Sequence, residues 1–308
     1  MPDRYRRAAI VAATGVLPAR ARTGLRRRWL AHHYSELTKR ADVVTAVHPK
    51  CGGTWLRAMI FRVYQQHYGL ETRRVVKSDE FARLDSRLPR FVFSNGHYSY
   101  ESAVAETLDT LAVSDQPRAL MLMARHPGDI AVSWYHQFTR RITARKRELI
   151  AAEMAAPIDP RSITRAAFIA NEEIGLPALI RYHNQWAARM REHPHGLIVR
   201  YEDLHTAPAE TLARVMAHLG EHVDDTLIDE AVDFAGADNL RRLESERYFK
   251  NSGLRQKKSG DPDTVKVRRA RVGSFRDDLE PAEADWVDDM IRARLDPVFG
   301  YDTSLDGS

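Results

Sequence analysis

Four polar clusters, each directly behind a short apolar run, carry the side chains that could do chemistry. The first is His48-Pro49-Lys50-Cys51-Gly52-Gly53-Thr54-Trp55-Leu56-Arg57, and it admits two readings. Cys51 is the only cysteine, and its spacing to Arg57 is the C-x5-R of thiol phosphatases, in which a thiolate attacks phosphorus. A cysteine at a helix N-terminus beside Lys50 would have a lowered pKa. The other reading is an anion cradle. A sharp turn from strand to helix aims unpaired backbone N–H groups at one place, and the helix dipole adds partial positive charge there. Gly52 and Gly53 let the backbone wrap closely, Thr54 adds a hydroxyl and Lys50 a full charge. Trp55 and Leu56 fill positions where a phosphatase loop usually has small residues, and Arg57 would point away one helical turn down. Lys50 precedes the glycines, so the G-x-x-x-x-G-K-S/T loop of nucleoside triphosphatases is absent.

The other clusters are Ser94-Asn95-Gly96-His97, Arg125-His126-Pro127-Gly128-Asp129 and Tyr201-Glu202-Asp203. His97, behind a flexible glycine, has the chemistry of a general base near neutral pH. Arg125 suits bidentate recognition of a phosphate, as do Arg268 and Arg269 near the C-terminus.

The runs before these clusters are Val43–Val47, Phe91–Phe93, Leu120–Ala124 and Leu197–Arg200, with Arg73–Lys77 a weaker fifth. Continuous apolar runs of this length fit strands buried on both faces of a parallel sheet. Apolar residues of Trp55–Tyr64, a helix from about Ile130, and helices opened by Pro177 and Pro208, the latter closed by Gly220, alternate with them. The expected fold is a three-layer α/β/α domain around a parallel sheet. In such sheets ligands collect at the carboxyl ends of the strands, where all four clusters fall. Residues 250–265 are polar, contain Gly253, Gly260 and Pro262, and read as a loop or lid.

Together these residues resemble the cytosolic-type sulfotransferase family. PKCGGTWL is similar to its 5′-phosphosulfate loop, P-K-S/T-G-T/S-T/S-W, with Cys51 and Gly53 as departures. Ala124 to Phe138, ARHPGDIAVSWYHQF, resembles its 3′-phosphate segment, and Val199 to Leu204, VRYEDL, its tyrosine strand. Arg268 to Leu279, RRARVGSFRDDL, matches R-K-G-x-x-G-x-W with Ala270 for the first glycine and Phe275 for the tryptophan. The four motifs lie in order within about residues 42–296. The resemblance implies a sheet of about five strands, a P-loop-like cradle and 3′-phosphoadenosine 5′-phosphosulfate (PAPS) as co-substrate, without metal. It implies nucleotide binding by Lys50, Cys51, Gly52, Gly53, Thr54, Trp55, Arg125, Ser133, Tyr201, Arg268, Arg269 and Ala270. Catalysis would fall to His97, Lys50 and Ser133, with an alcohol, phenol, sugar, lipid or amine as acceptor. The lysine that often precedes the family's histidine is missing, and the stretch Gly236–Leu240 lacks the aromatic that contacts adenine. The dimer motif would fall on Arg276–Asp285, where Glu280-Pro281 replace Thr-Val, which argues against that mode of dimerisation and leaves the oligomeric state open. Two alternatives stand beside this reading: a thiol phosphatase using Cys51, and a nucleotide-binding protein without catalysis.

The 308 residues are enough for one large domain, here 41–308, behind a basic helical extension, 1–40. One cysteine excludes an internal disulfide and favours a reducing compartment, so a cytoplasmic protein is expected. Ala8–Leu17 behind Arg4, Arg6 and Arg7 imitates a signal sequence but holds Thr14 and Gly15 and fails the tripartite test. Residues 1–40 carry ten Lys/Arg against two acids, and residues 241–276 carry twelve against four. No zinc finger, aromatic-basic platform or recognition helix accompanies them, so nucleic acid is not the expected partner. Leu25, Leu30, Trp29, His33, Tyr34 and Leu37 form a stripe beside Arg26-Arg27-Arg28 that would either pack on the domain or lie on an anionic membrane. Membrane contact would favour a lipid or lipid-linked acceptor.

Overall fold

The computed structural model of the chain describes residues 3–95, 103–250 and 272–301. Two helices come first, α1 (Asp3–Gly15) and α2 (Ala19–Thr38). They are followed by β1 (Val43–Val47), α3 (Gly53–His67), β2 (Phe91–Ser94), α4 (Ala103–Thr110), β3 (Ala119–Ala124) and α5 (Pro127–His136). Next come α6 (Ala144–Ala151), α7 (Arg165–Ile169), α8 (Leu176–Glu192), β4 (Gly196–Arg200), α9 (Tyr201–Thr206) and α10 (Pro208–His218). The chain then forms α11 (Asp225–Phe234), α12 (Ala237–Ser245), α13 (Phe275–Asp278) and α14 (Pro281–Arg294).

The strands pair in parallel in the order β2-β1-β3-β4. Every residue of β1, β2 and β3 is buried, which explains why these runs show no alternation. Helices α3, α10 and α11 pack on one another, while α5, α8 and α14 form a second group against β3 and β4. The result is the expected α/β/α arrangement, with four strands rather than about five among the described residues. The weak candidate Arg73–Lys77 is not a strand. Phe93 and Phe91 donate backbone bonds to the carbonyls of Lys77 and Ser78, but the Glu80 carboxylate takes the amides of both residues and bends the chain into a turn.

Prolines open α5, α8, α10 and α14, so the helix expected from Ile130 starts three residues earlier. Glu280-Pro281, foreign to the dimer motif, is a helix start: Glu280 and Glu283 form a reciprocal capping box. Residues 144–151 and 165–169 are helices held by a separate apolar cluster of Trp134, Phe138, Ile142, Ile150, Phe168 and Ile174.

The basic arm is two helices. α2 packs on α1, α4 and α6 and buries Thr23, Arg26, Leu30, His33, Tyr34 and Thr38. This face is rotated from the expected stripe, because Trp29 is 40% exposed while Arg26 is buried. Glu148 of α6 explains the rotation, receiving Arg22 at 2.9 Å and Thr23 at 2.5 Å, with Arg26 at 3.8 Å.

Two buried histidines connect the core to pH. Burial lowers both His126 and His183 from 6.5 to about 4, and the unfolded chain therefore binds more protons below about pH 6.5. Stability is fully present above that pH and is lost as pH falls toward 4, at up to about 1.4 kcal/mol per unit for each histidine. The thermal midpoint should therefore drop steadily between pH 7 and about pH 5. A flat profile would contradict the neutral buried state.

Candidate active site

A cavity of about 640 Å³ opens at the carboxyl ends of the strands, and side chains from all four polar clusters or their flanks line it. Its floor is the turn between β1 and α3. Lys50 takes a φ of 81° and Gly52 one of 85°, so the backbone reverses twice within three residues. A Cβ on Gly52 would lie 2.6 Å from the Tyr201 ring, and one on Gly53 would lie 2.5 Å from Val47. Both glycines are required by close approach, and the left-handed φ adds strain to any substitution at Gly52. Gly52 caps α3 without a side-chain bond, and Lys50, Gly52, Gly53, Thr54 and Trp55 all face the cavity. That is a cradle for an anion: helix-end amides, a hydroxyl and a lysine.

Cys51 takes no part in that lining with its side chain. It is completely buried, and burial pushes the thiol pKa far above its usual value. Of the residues expected at the nucleotide from this loop, Cys51 alone is absent from the cavity lining, and its N–H is donated to the His48 carbonyl at 3.2 Å. A thiolate nucleophile here is disfavoured on the same ground. Arg57 does not point away. It lines the cavity, its Nε donates to the Val76 carbonyl, and its guanidinium lies 5.4 Å from the centre of the Phe93 ring. Burial lowers its pKa to about 10, which leaves it charged at neutral pH.

Arg125 leaves the end of β3 and lies over the Tyr201 ring at 4.3 Å. One of its amino groups donates to the Lys50 carbonyl and the other to Asp129, each at 3.2 Å. Asp129, on the first turn of α5, is the organiser of this corner. Its buried carboxylate also accepts from the backbone of Gly273 and Phe275 at 3.0 Å and from Ser274 at 3.4 Å. One side chain thereby ties Arg125 to the turn that follows the Arg268-Arg269 motif. Ser133, one turn further along α5, lines the cavity too. Sequence reasoning left Asp129 without a role, although its position four residues after Arg125 fits an i,i+4 ion pair.

Tyr201 opens α9, packs edge-on to Trp55 at 5.8 Å, and is buried. Its neighbour Glu202 accepts from the His126 amide at 2.9 Å and from the Tyr301 hydroxyl at 2.6 Å. His126 stacks on Phe275 at 5.0 Å, so the loop carrying Arg125 is held from both sides. This histidine, neutral and packed, serves structure. Leu204, Ala235, Ala237 and Leu240 add apolar surface to the same lining, Ala237 and Leu240 coming from the stretch that lacks the family's aromatic.

Lys77, Phe93 and Asn95 also line the cavity, with residues of the π-helical turn Gln137–Arg141 that continues α5. The turn brings Gln137, Arg140 and Arg141 to the wall, residues that helical periodicity alone would not have grouped. His97, Arg268, Arg269 and Ala270 lie outside the described residues, as does most of the 250–265 segment. Among the described residues the site thus unites Lys50, Gly52, Gly53, Thr54, Trp55, Arg125, Ser133 and Tyr201.

A family model described as the sulfotransferase domain matches residues 40–299. Cytosolic sulfotransferase 6 of Arabidopsis thaliana is 21% identical over 272 residues, covering 82% of this chain and 78% of the relative. Among solved structures, mouse sulfotransferase SULT7A1 complexed with PAP superposes with a TM-score of 0.57 at 16% identity, covering 82% and 83% of the two chains. Retinol dehydratase in a complex with retinol and PAP gives 0.52 at 16% identity, covering 90% of this chain and 86% of that one.

Two outcomes follow from this geometry. Cys51 should resist a thiol-specific reagent in the native protein at mildly alkaline pH and react on unfolding; rapid native labelling would contradict its burial. Asp129→Ala leaves the Arg125 charge and two amides without their acceptor, and denaturant unfolding should show a loss of about 3 to 5 kcal/mol. A loss within experimental error would remove Asp129 from its organising role.

Proposed function

The chain belongs to the sulfotransferase-domain family, and on that premise we propose that it moves a sulfuryl group from PAPS to a hydroxyl or amine acceptor. The observation that carries the reading is the convergence of the Lys50–Trp55 cradle, Arg125, Ser133 and Tyr201 on one cavity. The uncapped start of α3 at Gly52, with the Thr54 hydroxyl and Lys50 on the same cavity, fits a phosphosulfate held at a helix N-terminus. Trp55 and Tyr201, edge-on at 5.8 Å, with Leu204 and Leu240 in the same lining, offer the apolar surface a purine needs.

When bound, PAPS supplies the sulfuryl group, whose bond to the 5′-phosphate oxygen breaks as the acceptor oxygen or nitrogen bonds to sulfur. In this reading Lys50, Thr54 and the amides of residues 52–54 neutralise the charge gathering on the 5′-phosphate, as electrostatic stabilisation requires. Arg125 and Ser133 hold the 3′-phosphate with Arg268, Arg269 and the backbone of Ala270. His97, two residues beyond Asn95 of the cavity wall, takes the acceptor's proton. The acceptor enters beside Phe93 and the Gln137–Arg141 turn, and a small molecule, a sugar or a lipid hydroxyl can be accommodated. Retinol dehydratase, which shares the fold, was crystallised with retinol and PAP. We place the protein in the cytoplasm, as the name of its plant relative suggests, with residues 41–308 as the transferase domain and 1–40 as an appended arm.

The test is transfer of labelled sulfate from PAPS to a panel of alcohols, phenols, sugars and lipid hydroxyls. His97→Ala should lower turnover by about two to four orders of magnitude while leaving binding of 3′-phosphoadenosine 5′-phosphate (PAP) intact. Undiminished turnover would remove the base assignment. Arg125→Ala should weaken PAP binding on the order of tenfold or more, and an unchanged dissociation constant would count against the 3′-phosphate contact. Tight PAP binding with no transfer to any acceptor would favour the nucleotide-binding protein without catalysis.

A further inference from the structure

Helix α1 meets the rest of the chain through both polar and apolar contacts: Asp3 meets His33 at 2.8 Å, Thr14 accepts from Arg26 at 2.8 Å, the Val11 carbonyl accepts from the same arginine at 3.2 Å, and Ile10 packs on the core. Its outward side is apolar. Ala8, Ala9, Ala12 and Ala13 are exposed, Val16 just past the helix is 87% exposed, and Tyr5 is 51% exposed. The positions 5, 8, 9, 12, 13 and 16 follow the spacing of a single helix face. An exposed apolar stripe of this kind marks an interaction surface. α2 runs antiparallel to α1, since Asp3 reaches His33 and Thr14 reaches Arg26, and it adds Trp29 at 40% exposure.

We propose that the outward face of α1, with Trp29 of α2, docks on an anionic lipid bilayer. The charge around the stripe selects this occupant. Residues 1–40 carry ten Lys/Arg against two acids; Arg7, Arg22, Arg27, Lys39 and Arg40 are ion-paired and Arg26 is buried, while Arg6, Arg20 and Arg28 are exposed. Basic side chains near an anionic leaflet are attracted at a Debye-length scale, and Trp and Tyr settle at the headgroup level. α1 spans 13 residues, and no helix among the described residues is long and apolar enough to cross a membrane, so the helix lies in the interface plane. A second copy of the chain would set these arginines against their own kind. An acidic protein partner would engage the arginines but leave the alanine stripe without a purpose.

The test is co-sedimentation of the full chain with vesicles of phosphatidylcholine alone and of phosphatidylcholine with phosphatidylglycerol. The protein should pellet with the anionic vesicles, stay in solution with the neutral ones, and lose binding at high salt. The double variant Ala9→Glu/Ala13→Glu, altered only at exposed helix positions, should reduce the bound fraction on the order of tenfold. Trp29→Ser should reduce it by a smaller factor. Thermal midpoint and PAP affinity should stay as in the parent chain, which separates failure of this inference from failure of the donor assignment. No pelleting with anionic vesicles, or equal pelleting of the double variant, would overturn it. Concentration-dependent self-association abolished by the same two substitutions would overturn it in favour of a second copy.

Discussion

A single buried carboxylate holds the nucleotide end of this molecule together. Asp129 lies between Arg125, which it orients by an ion pair at 3.2 Å, and the turn of Gly273 to Phe275, whose amides it accepts at 3.0 Å. These partners come from segments more than 140 residues apart in sequence. Through this contact the β3 end, the first turn of α5 and the start of α13 move as one piece. Removing the carboxylate is costly because the amides of Gly273 and Phe275 and the Arg125 guanidinium, only 12% exposed, lose a shared buried acceptor.

The cradle is rigid for a different reason. Lys50 and Gly52 both occupy the left-handed region, and Tyr201 and Val47 close the space that a Cβ would need at Gly52 and Gly53. Tyr201 in turn lies between Trp55 and Arg125, so the aromatic that shapes the cradle also supports the arginine. The cradle and the arginine therefore depend on one ring. This preorganisation fixes amides and cations before an anion arrives, which is the condition under which electrostatic stabilisation is most effective.

The strands were legible because burial on both faces writes itself as uninterrupted apolar runs, and Val43–Val47 and Leu120–Ala124 appear within one residue of their observed limits. The polar clusters behind them were legible because parallel strands place their carboxyl ends together. Other features depend on rotation rather than pattern. Arg57 faces the cavity because α3 presents that side, which the spacing from Cys51 does not reveal. The same holds for α2, where Glu148 draws Arg22, Thr23 and Arg26 inward and turns Trp29 out. Arg73–Lys77 has strand composition, but Glu80 captures the amides that a ladder would need. Cys51 reads as reactive from its neighbours in sequence and is inert from its neighbours in space.

The central claim is that the corner built on Asp129, Arg125 and Ser133 recognises a 3′-phosphate while the Gly52-Gly53 cradle holds the 5′ end. Calorimetric titration with PAP beside ADP tests it most directly, because ADP has the adenine and 5′-phosphates but no 3′-phosphate. The account predicts binding of PAP tighter than ADP by at least about tenfold, the worth of a charge-assisted pair. Equal affinity for the two, or binding of neither, would contradict it.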